Sequence, residues 1–172
     1  MPSLATITRT GINPALKLLP KAMDSREARV ILLAIGQQES GFEHRWQVID
    51  AKRPSRKGPA RGFWQFELGT RASRGGVWGV YLHEASRYWL SVLCQARGVE
   101  FNPRAIWLAI EQDDVLAAGL ARLLLFTDPK RLPSRGDAVG AWNLYRYRTW
   151  RPGRPHYDTW GGYYTAAMEA TA

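Results

Sequence analysis

The sequence has few of the residues that metal sites and disulfides require. It contains one cysteine, Cys94, and three histidines, His44, His83 and His156. A single cysteine excludes an intrachain disulfide, and the histidines lack the H-E-x-x-H spacing of a catalytic zinc site. A phosphate loop, a dinucleotide-binding fingerprint and a G-x-S-x-G nucleophile elbow are also missing. We therefore expect no metal and no cofactor, and Cys94 as a core residue.

Long apolar runs are missing as well. The longest candidates, 30–35 and 115–126, fall short of the roughly 18 residues that indicate a membrane span. Residues 1–22 contain no apolar core followed by a small-residue cleavage site, which predicts synthesis in the cytoplasm without a signal peptide. A protein of this kind that acts outside the cytoplasm must be delivered there by other means.

Acidic residues are scarce relative to basic ones. The 172 residues include 15 Asp and Glu against 24 Lys and Arg, so the formal net charge is +9. This excess favours a polyanionic partner such as nucleic acid, an acidic lipid surface or an anionic cell-wall polymer, although solubility alone is the plainer interpretation. The absence of repeats and linkers predicts a single domain over residues 1–172.

Apolar residues recur mostly at helical spacing, which predicts a mainly α fold. We expect at most a small β-hairpin or irregular segment near Gly62–Thr70, after an exposed basic loop at Lys52–Arg61. Gly75-Gly76 and Gly161-Gly162 are interpreted as turns. The first predicted helix opens at Asn13-Pro14 and ends before Pro20, and the second extends from an Asp24/Glu27 capping box to Gly41. Asp113 or Asp114 is the predicted cap of a helix at Val115–Phe126. The other predicted helices are Val80–Cys94, Arg104–Gln112, Asp137–Leu144 and Thr165–Ala170.

Glu39 is the first candidate for chemistry. It lies in the last turn of a predicted amphipathic helix, at the edge of the apolar face and near the negative end of the helix dipole. Partial burial and the dipole both disfavour the ionised carboxylate, which raises its pKa and suits a general acid. On position alone, a solvated glutamate at a helix end is the plainer alternative.

Two further segments follow in order, and together the three resemble the motifs of the soluble lytic transglycosylase and goose-type lysozyme superfamily. That family has an E-S-x-F segment with the acid, then a G-L-M-Q-like segment and an A-Y-N-like segment. Trp64 stands where the family usually has methionine, Trp142 stands where it has tyrosine, and the glycines that follow the third motif are absent. The resemblance extends over about residues 24–164, and the overall pattern is similar to that of bacteriophage lysozyme-like proteins. The segments are Glu39-Ser40-Gly41-Phe42, Gly62-Phe63-Trp64-Gln65-Phe66 and Ala141-Trp142-Asn143-Leu144-Tyr145.

The resemblance implies a lysozyme-like enzyme that cleaves peptidoglycan between N-acetylmuramic acid and N-acetylglucosamine, with Glu39 as the catalytic acid. A hydrolytic member would need a second carboxylate, for which Glu67 and Asp50 are the candidates, whereas a 1,6-anhydro-forming member would not. The implied partners are glycan strands, an anionic cell-wall or outer-membrane surface and other virion proteins. The implied place of action is the periplasmic cell wall, after release from the host cytoplasm or delivery in a virion. The implied substrate-binding residues are Ser40, Trp64, Gln65, Trp142, Asn143 and Tyr145.

The segment 142–160 also supports a rival interpretation. Its arginines alternate with aromatic residues, a pattern typical of single-stranded nucleic-acid grooves. A non-enzymatic virion component that retains the fold is a third possibility. The presence of both Glu39 and Gln65 favours the enzyme, and Trp150 and Trp160 are expected in the core rather than on substrate.

Overall fold

Helices make up most of the chain in the computed structural model, which describes residues 1–172. One small antiparallel sheet, β1 (Trp46–Val48) and β2 (Lys57–Arg61), interrupts them. The predicted mainly α fold, with at most a small hairpin near the second motif, is confirmed, although the strands precede Gly62–Thr70. The helices are α1 (Leu4–Ile7), α2 (Asn13–Lys17), α3 (Arg26–Ser40), α4 (Gly76–Leu82), α5 (Arg87–Arg97), α6 (Pro103–Ala109), α7 (Asp114–Thr127), α8 (Ala138–Asn143) and α9 (Tyr157–Ala170), with π-helical segments at Thr8–Ile12 and Leu144–Thr149 and a 3₁₀ turn at Lys21–Met23.

Helix α3 carries the first motif and is largely buried between α7 and α9. Its N-cap is Ser25, whose hydroxyl accepts the Ala28 N–H at 3.1 Å. The predicted cap at Asp24 is therefore wrong by one residue, since that carboxylate pairs with Arg29 at 2.7 Å instead. Gly41 ends the helix in the left-handed region at φ 64°, as predicted.

Helix α7 follows the sequence prediction closely. The Asp113 side chain caps it by accepting the Leu116 N–H at 3.0 Å. Nearly every residue from Val115 to Leu125 is buried, and the helix packs against α5, α3 and the N-terminal helices. Its burial on most sides explains a composition that is apolar nearly all round.

The N-terminal helix begins earlier than predicted. Ser3 caps α1 through the Thr6 N–H at 3.1 Å, and the chain stays helical through the π segment Thr8–Ile12 into α2. Pro14 therefore lies inside a helix and does not open one. Because proline lacks an N–H and crowds the carbonyl four residues earlier, a widened turn just before it relieves the conflict.

Two other helix predictions are wrong in extent. Helix α9 begins at Tyr157, so the expected turn at Gly161-Gly162 lies within a helix. Helix α9 packs against α3, and Trp160 and Tyr164 are buried, which outweighs the glycine penalty of about 1 kcal/mol per residue. The predicted helix Val80–Cys94 is divided between α4 and α5, because the buried Ser86 hydroxyl donates to the carbonyl of Val80 at 2.7 Å and turns the chain.

The hairpin places the second motif beside α3. Trp46 pairs with Arg61 and Val48 pairs with Lys57, so only residues 52–56 of the predicted basic loop are loop. Gly62 follows with φ 74°, and a Cβ there would lie 2.7 Å from the carbonyl oxygen of Ile110. A glycine is therefore required where the turn 62–66 begins. None of the helices combines the length and apolar character needed to cross a membrane.

Candidate active site

A cleft of about 610 Å³ opens at the end of α3. Glu39 and Glu67 are its two carboxylates, while the remaining polar lining is mostly amide, hydroxyl and cationic. The size falls within the range typical of ligand-binding clefts in proteins. The lining comprises Glu39, Gln47, Ala60, Gln65–Glu67, Arg74–Gly76, Gly79, His83, Leu124, Thr127 and Arg148–Gly153.

Glu39 has the titration behaviour that a general acid needs. Burial raises the pKa of its carboxyl from 4.5 to about 7, because the protein around it solvates a charge poorly. The Tyr145 hydroxyl donates to Glu39 Oε1 at 2.5 Å, and this hydrogen bond lowers the pKa by favouring the carboxylate. Both protonation states of Glu39 are therefore populated near neutral pH.

Tyr145 is fixed on the side away from the cleft. Its ring stacks on that of Trp160, with centroids 5.5 Å apart and planes 3° from parallel. Burial, reinforced by the neighbouring Glu39, raises the pKa of the Tyr145 hydroxyl well above its usual range, so it stays protonated and donates. It belongs to the π segment Leu144–Thr149, and such widened turns are frequent at functional sites. Sequence analysis predicted a substrate contact for Tyr145; the structure assigns it a bond to the acid.

The Ser40 hydroxyl forms hydrogen bonds within the protein, and Ser40 does not line the cleft. Its hydroxyl donates to the carbonyl of Phe63 at 2.6 Å and accepts the Phe42 N–H at 3.1 Å. Phe42, at φ 55°, returns under α3 so that its ring packs on Gly36, where a Cβ would lie 2.1 Å from it. The predicted substrate contact at Ser40 is replaced by a structural role, which is to join the first motif to the second.

The predicted substrate contact of Trp64 is also replaced by a structural role. Its side chain is 0% exposed, and its indole N–H donates to the carbonyl of Leu32 at 2.9 Å. Its ring meets Phe42 edge-on at 5.5 Å. A ring enclosed in this way offers no face to a sugar, so Trp64 supports α3 from inside the core.

The third motif also lies behind the cleft wall. Trp142 is 8% exposed and packs among Tyr145, Tyr157 and Trp160 with centroid distances of 5.0–5.5 Å. Asn143 is exposed, but it lies outside the cleft lining. The structure gives Trp142 a place in the core and not on the cleft, whereas the predicted sugar contact of Asn143 stays a prediction.

Gln65 does line the cleft, and it adopts a left-handed backbone conformation. It has φ 52°, and its side-chain amide donates to the carbonyl of Gly62 at 2.9 Å. Arg74 and Arg151, with φ 53° and 48°, line the same cleft. This conformation costs a non-glycine residue roughly 1–2 kcal/mol, and such strain is concentrated at functional sites. Three of the four strained non-glycine residues of the chain meet at this cleft.

The two candidates for a second carboxylate have different outcomes. Glu67 is exposed and lines the cleft with Glu39. Asp50 lies outside the cleft, where it pairs with Arg53 at 2.8 Å and accepts the Lys52 N–H at 3.0 Å. Asp50 is therefore wrong as a candidate because its carboxylate is used to hold the basic loop.

Trp150 lines the cleft, although its sequence position did not predict this. Trp150 is half-buried; its N–H donates to the carbonyl of Trp64 at 2.9 Å, and its ring lies 5.6 Å from that of Phe66. Core packing was predicted for Trp150 and for Trp160, and only Trp160, 1% exposed, is fully in the core. Trp150 lies between Arg148 and Arg151, and this alternation was the only available signal.

Three arginines line the cleft: Arg74, Arg148 and Arg151. Arg148 is paired with Asp128 at 2.8 Å, while Arg74 and Arg151 form no ion pair. An anionic substrate would therefore find unpaired positive charge close to Glu39.

No group of three or more His, Cys, Asp or Glu side chains is arranged to hold a metal ion. Comparisons with protein-family models, with curated proteins and with solved structures found no match. The activity of the chain is therefore inferred from its own residues.

Proposed function

We propose that the chain is a single-domain, lysozyme-like muramidase that cleaves the bond between N-acetylmuramic acid and N-acetylglucosamine in peptidoglycan. One observation carries the proposal: the Glu39 carboxyl, whose pKa burial raises to about 7, faces a cleft of about 610 Å³. Perturbed carboxyls in clefts mark functional sites more often than structural ones. The order of the three motifs along the chain supplies the substrate class.

The mechanism follows from the two oxygens of Glu39. Tyr145 holds Oε1 at 2.5 Å, which leaves Oε2 to carry the transferable proton. That proton passes to the glycosidic oxygen as the bond to the anomeric carbon breaks and positive charge develops on the sugar ring. The Tyr145 hydroxyl then stabilises the carboxylate that remains.

The Glu39 carboxylate that remains can then act as a base, and either of two acceptors of the glycosyl group, a hydroxyl or water, can complete the reaction. In the first, the muramic acid C6 hydroxyl attacks the anomeric carbon and gives its proton to Glu39, which forms a 1,6-anhydro sugar. In the second, water attacks, held by Glu67 as the other carboxylate of the cleft. Both routes restore the protonated acid.

The lining of the cleft suits an anionic glycan. The unpaired guanidinium groups of Arg74 and Arg151 can meet the carboxylates of muramic acid and stem peptides. The exposed portion of the Trp150 ring offers an apolar face for a sugar ring, which is the role first predicted for Trp64 and Trp142.

The buried rings argue against the nucleic-acid interpretation. Trp142, Tyr145 and Trp160 are all less than 10% exposed, which leaves Tyr147, Trp150 and Tyr157 as the rings of the segment on which bases could stack and interrupts the row of rings that this interpretation needs. We place the protein among phage lytic or virion-associated enzymes that act on the wall after delivery.

Glu39→Gln tests the proposal directly. The variant should lose about a hundredfold to ten-thousandfold of its rate on purified peptidoglycan while keeping its circular dichroism spectrum. Glu43→Gln is the matched control, because Glu43 is exposed, four residues further along the chain and outside the cleft. A folded Glu39→Gln variant with normal activity refutes the role of Glu39, and a folded but inactive wild type favours the non-enzymatic virion component.

Mass spectrometry of the products separates the two acceptors. Hydrolysis yields reducing muramic acid ends, which Glu67→Gln should abolish. Transglycosylation yields 1,6-anhydro ends, which the same variant should leave nearly unchanged.

A further inference from the structure

A second cavity, of about 800 Å³, lies along the same C-terminal half of α7 that borders the active-site cleft. Leu124 and Thr127 line the cleft, whereas Leu125 and Phe126 line the second cavity. The second cavity also reaches the start of α3 at Ser25 and the loop 129–134. We call it the basic cavity, after Arg122, Lys130 and Arg131 in its lining.

Arg122 is the unusual residue of the basic cavity. The residue as a whole is only 5% exposed, and its Nε donates a hydrogen bond to the carbonyl of Met23 at 2.8 Å. Nη1 is buried and has no hydrogen-bond partner in the protein, and Arg122 forms no ion pair. Burial lowers the pKa of Arg122 to about 10, which reflects poor solvation of its charge. The Asp24 carboxylate partly offsets this effect, but it is already paired with Arg29 at 2.7 Å. A buried cation is costly unless it is compensated.

The charges that line the cavity compensate Arg122 only in part. Lys130 and Arg131 are exposed at the rim and form no ion pair. Asp128 is already neutralised by Arg148, which leaves Glu27 as the one unpaired carboxylate of the lining. The basic cavity therefore holds an excess of two positive charges.

The start of α3 adds a further attraction for anions. Ser25 and Glu27 line the cavity, so the first turn of this 15-residue helix borders it. The Ser25 hydroxyl caps the Ala28 N–H at 3.1 Å, and a helix N-terminus leaves further amides free and carries partial positive charge.

We propose that the basic cavity binds a phosphate group, held by Arg122, Lys130, Arg131 and the first turn of α3. A phosphate dianion matches the excess of two positive charges, and its oxygens can accept from the guanidinium fork and from helix amides together. The group can come from free phosphate or from a phospholipid headgroup. The site shares no residue with the chemistry proposed for Glu39, so it stands or falls independently of the muramidase activity.

Binding of inorganic phosphate to the full chain is the first test, measured by isothermal titration calorimetry and by the rise in Tm against sodium chloride at equal ionic strength. A ligand that binds only the folded state raises Tm as its concentration exceeds Kd. Phosphate should raise Tm beyond chloride, and an equal Tm in both salts with no calorimetric binding overturns the proposal.

Variants then locate the site. Lys130→Gln combined with Arg131→Gln should weaken phosphate binding about tenfold or more, since each lost hydrogen bond to an ion is worth about that factor. Glu27→Gln should tighten it by removing the opposing charge. Lys52→Gln, which removes an exposed charge outside both cavities, should leave it unchanged. Equal losses in Lys52→Gln and the double variant mean non-specific attraction and overturn the site.

Arg122→Lys keeps the charge and removes the guanidinium fork, so it should weaken binding while the protein stays folded. If that variant does not fold, the three surface variants decide the question alone. Sedimentation with phosphatidylglycerol and phosphatidylcholine vesicles distinguishes the sources. Phosphatidylglycerol binding that the double variant loses identifies a headgroup, whereas phosphate binding without vesicle binding identifies free phosphate.

Discussion

The raised pKa of Glu39 makes a prediction about stability that needs no substrate. In the folded protein the carboxyl titrates at about 7, while in the unfolded chain it returns to 4.5. Between these pH values the folded state binds one proton more than the unfolded state, so the free energy of unfolding falls as pH rises. The stabilisation is fully present below pH 4.5 and is lost by the time the pH has passed 7.

The size of the effect follows from the same two values. Each pH unit in this window lowers the free energy of unfolding by about 1.4 kcal/mol, and the whole window amounts to about 3 kcal/mol. Glu39→Gln keeps the shape of the side chain and has no proton to lose. The variant should therefore match the wild type near pH 4 and exceed it in stability by about 3 kcal/mol above pH 8.

Urea denaturation from pH 4 to pH 9, followed by circular dichroism, measures this difference. Glu43→Gln provides the control, because it removes the same formal charge from an exposed position. Its stability should run parallel to that of the wild type throughout. If the curve for Glu39→Gln is also parallel to the wild-type curve, Glu39 is solvated as a carboxylate in the folded protein and the argument for a buried acid fails.

Three further predictions concern activity and packing. Tyr145→Phe removes the hydrogen bond that lowers the pKa of Glu39, so the fall of kcat/KM on the alkaline side should move to higher pH in a pH–rate profile. Trp142→Ala should lower the free energy of unfolding by about 3–5 kcal/mol in urea titrations, because the ring is in the core; a stable variant with severely reduced activity would contradict that placement. If the net charge of +9 attracts the enzyme to anionic walls, turbidity assays should show wall digestion falling with salt more steeply than cleavage of a short soluble glycan, and equal sensitivity would refute this.

The position of Glu39, the proposed catalytic acid, was predictable because local rules determine most of it. Helical periodicity, a cap near residue 25 and Gly41 at the other end fix α3, and they place Glu39 in its last turn. Its apolar flank implies burial, and burial raises the pKa. The helix and its ends depend only on neighbours in the sequence, which is why sequence patterns suffice to place Glu39, whereas the hydrogen bond from Tyr145 comes from a distant segment.

The helix boundaries that failed depend on tertiary contacts instead. Gly161 and Gly162 favour a turn locally, yet α9 stays helical because it packs against α3 and buries Trp160 and Tyr164. Pro14 similarly suggests a helix start, although the chain before it is held helical by contacts of the N-terminal helices with α7. Packing partners more than a hundred residues away leave no local signal.

The cleft-facing aromatics were misplaced for a related reason. A motif shows that an aromatic residue lies near the acid, but not which of its sides the core takes. In this fold the hydrogen bonds of the indole N–H groups determine how each ring is oriented. Trp64 donates to the carbonyl of Leu32 in α3, and Trp150 donates to the carbonyl of Trp64, both at 2.9 Å. Each tryptophan has a single donor, so satisfying it within the protein fixes the ring. The buried tryptophan thus links α3 to the residue that lines the cleft, and it helps to hold Glu39 in place without facing the substrate.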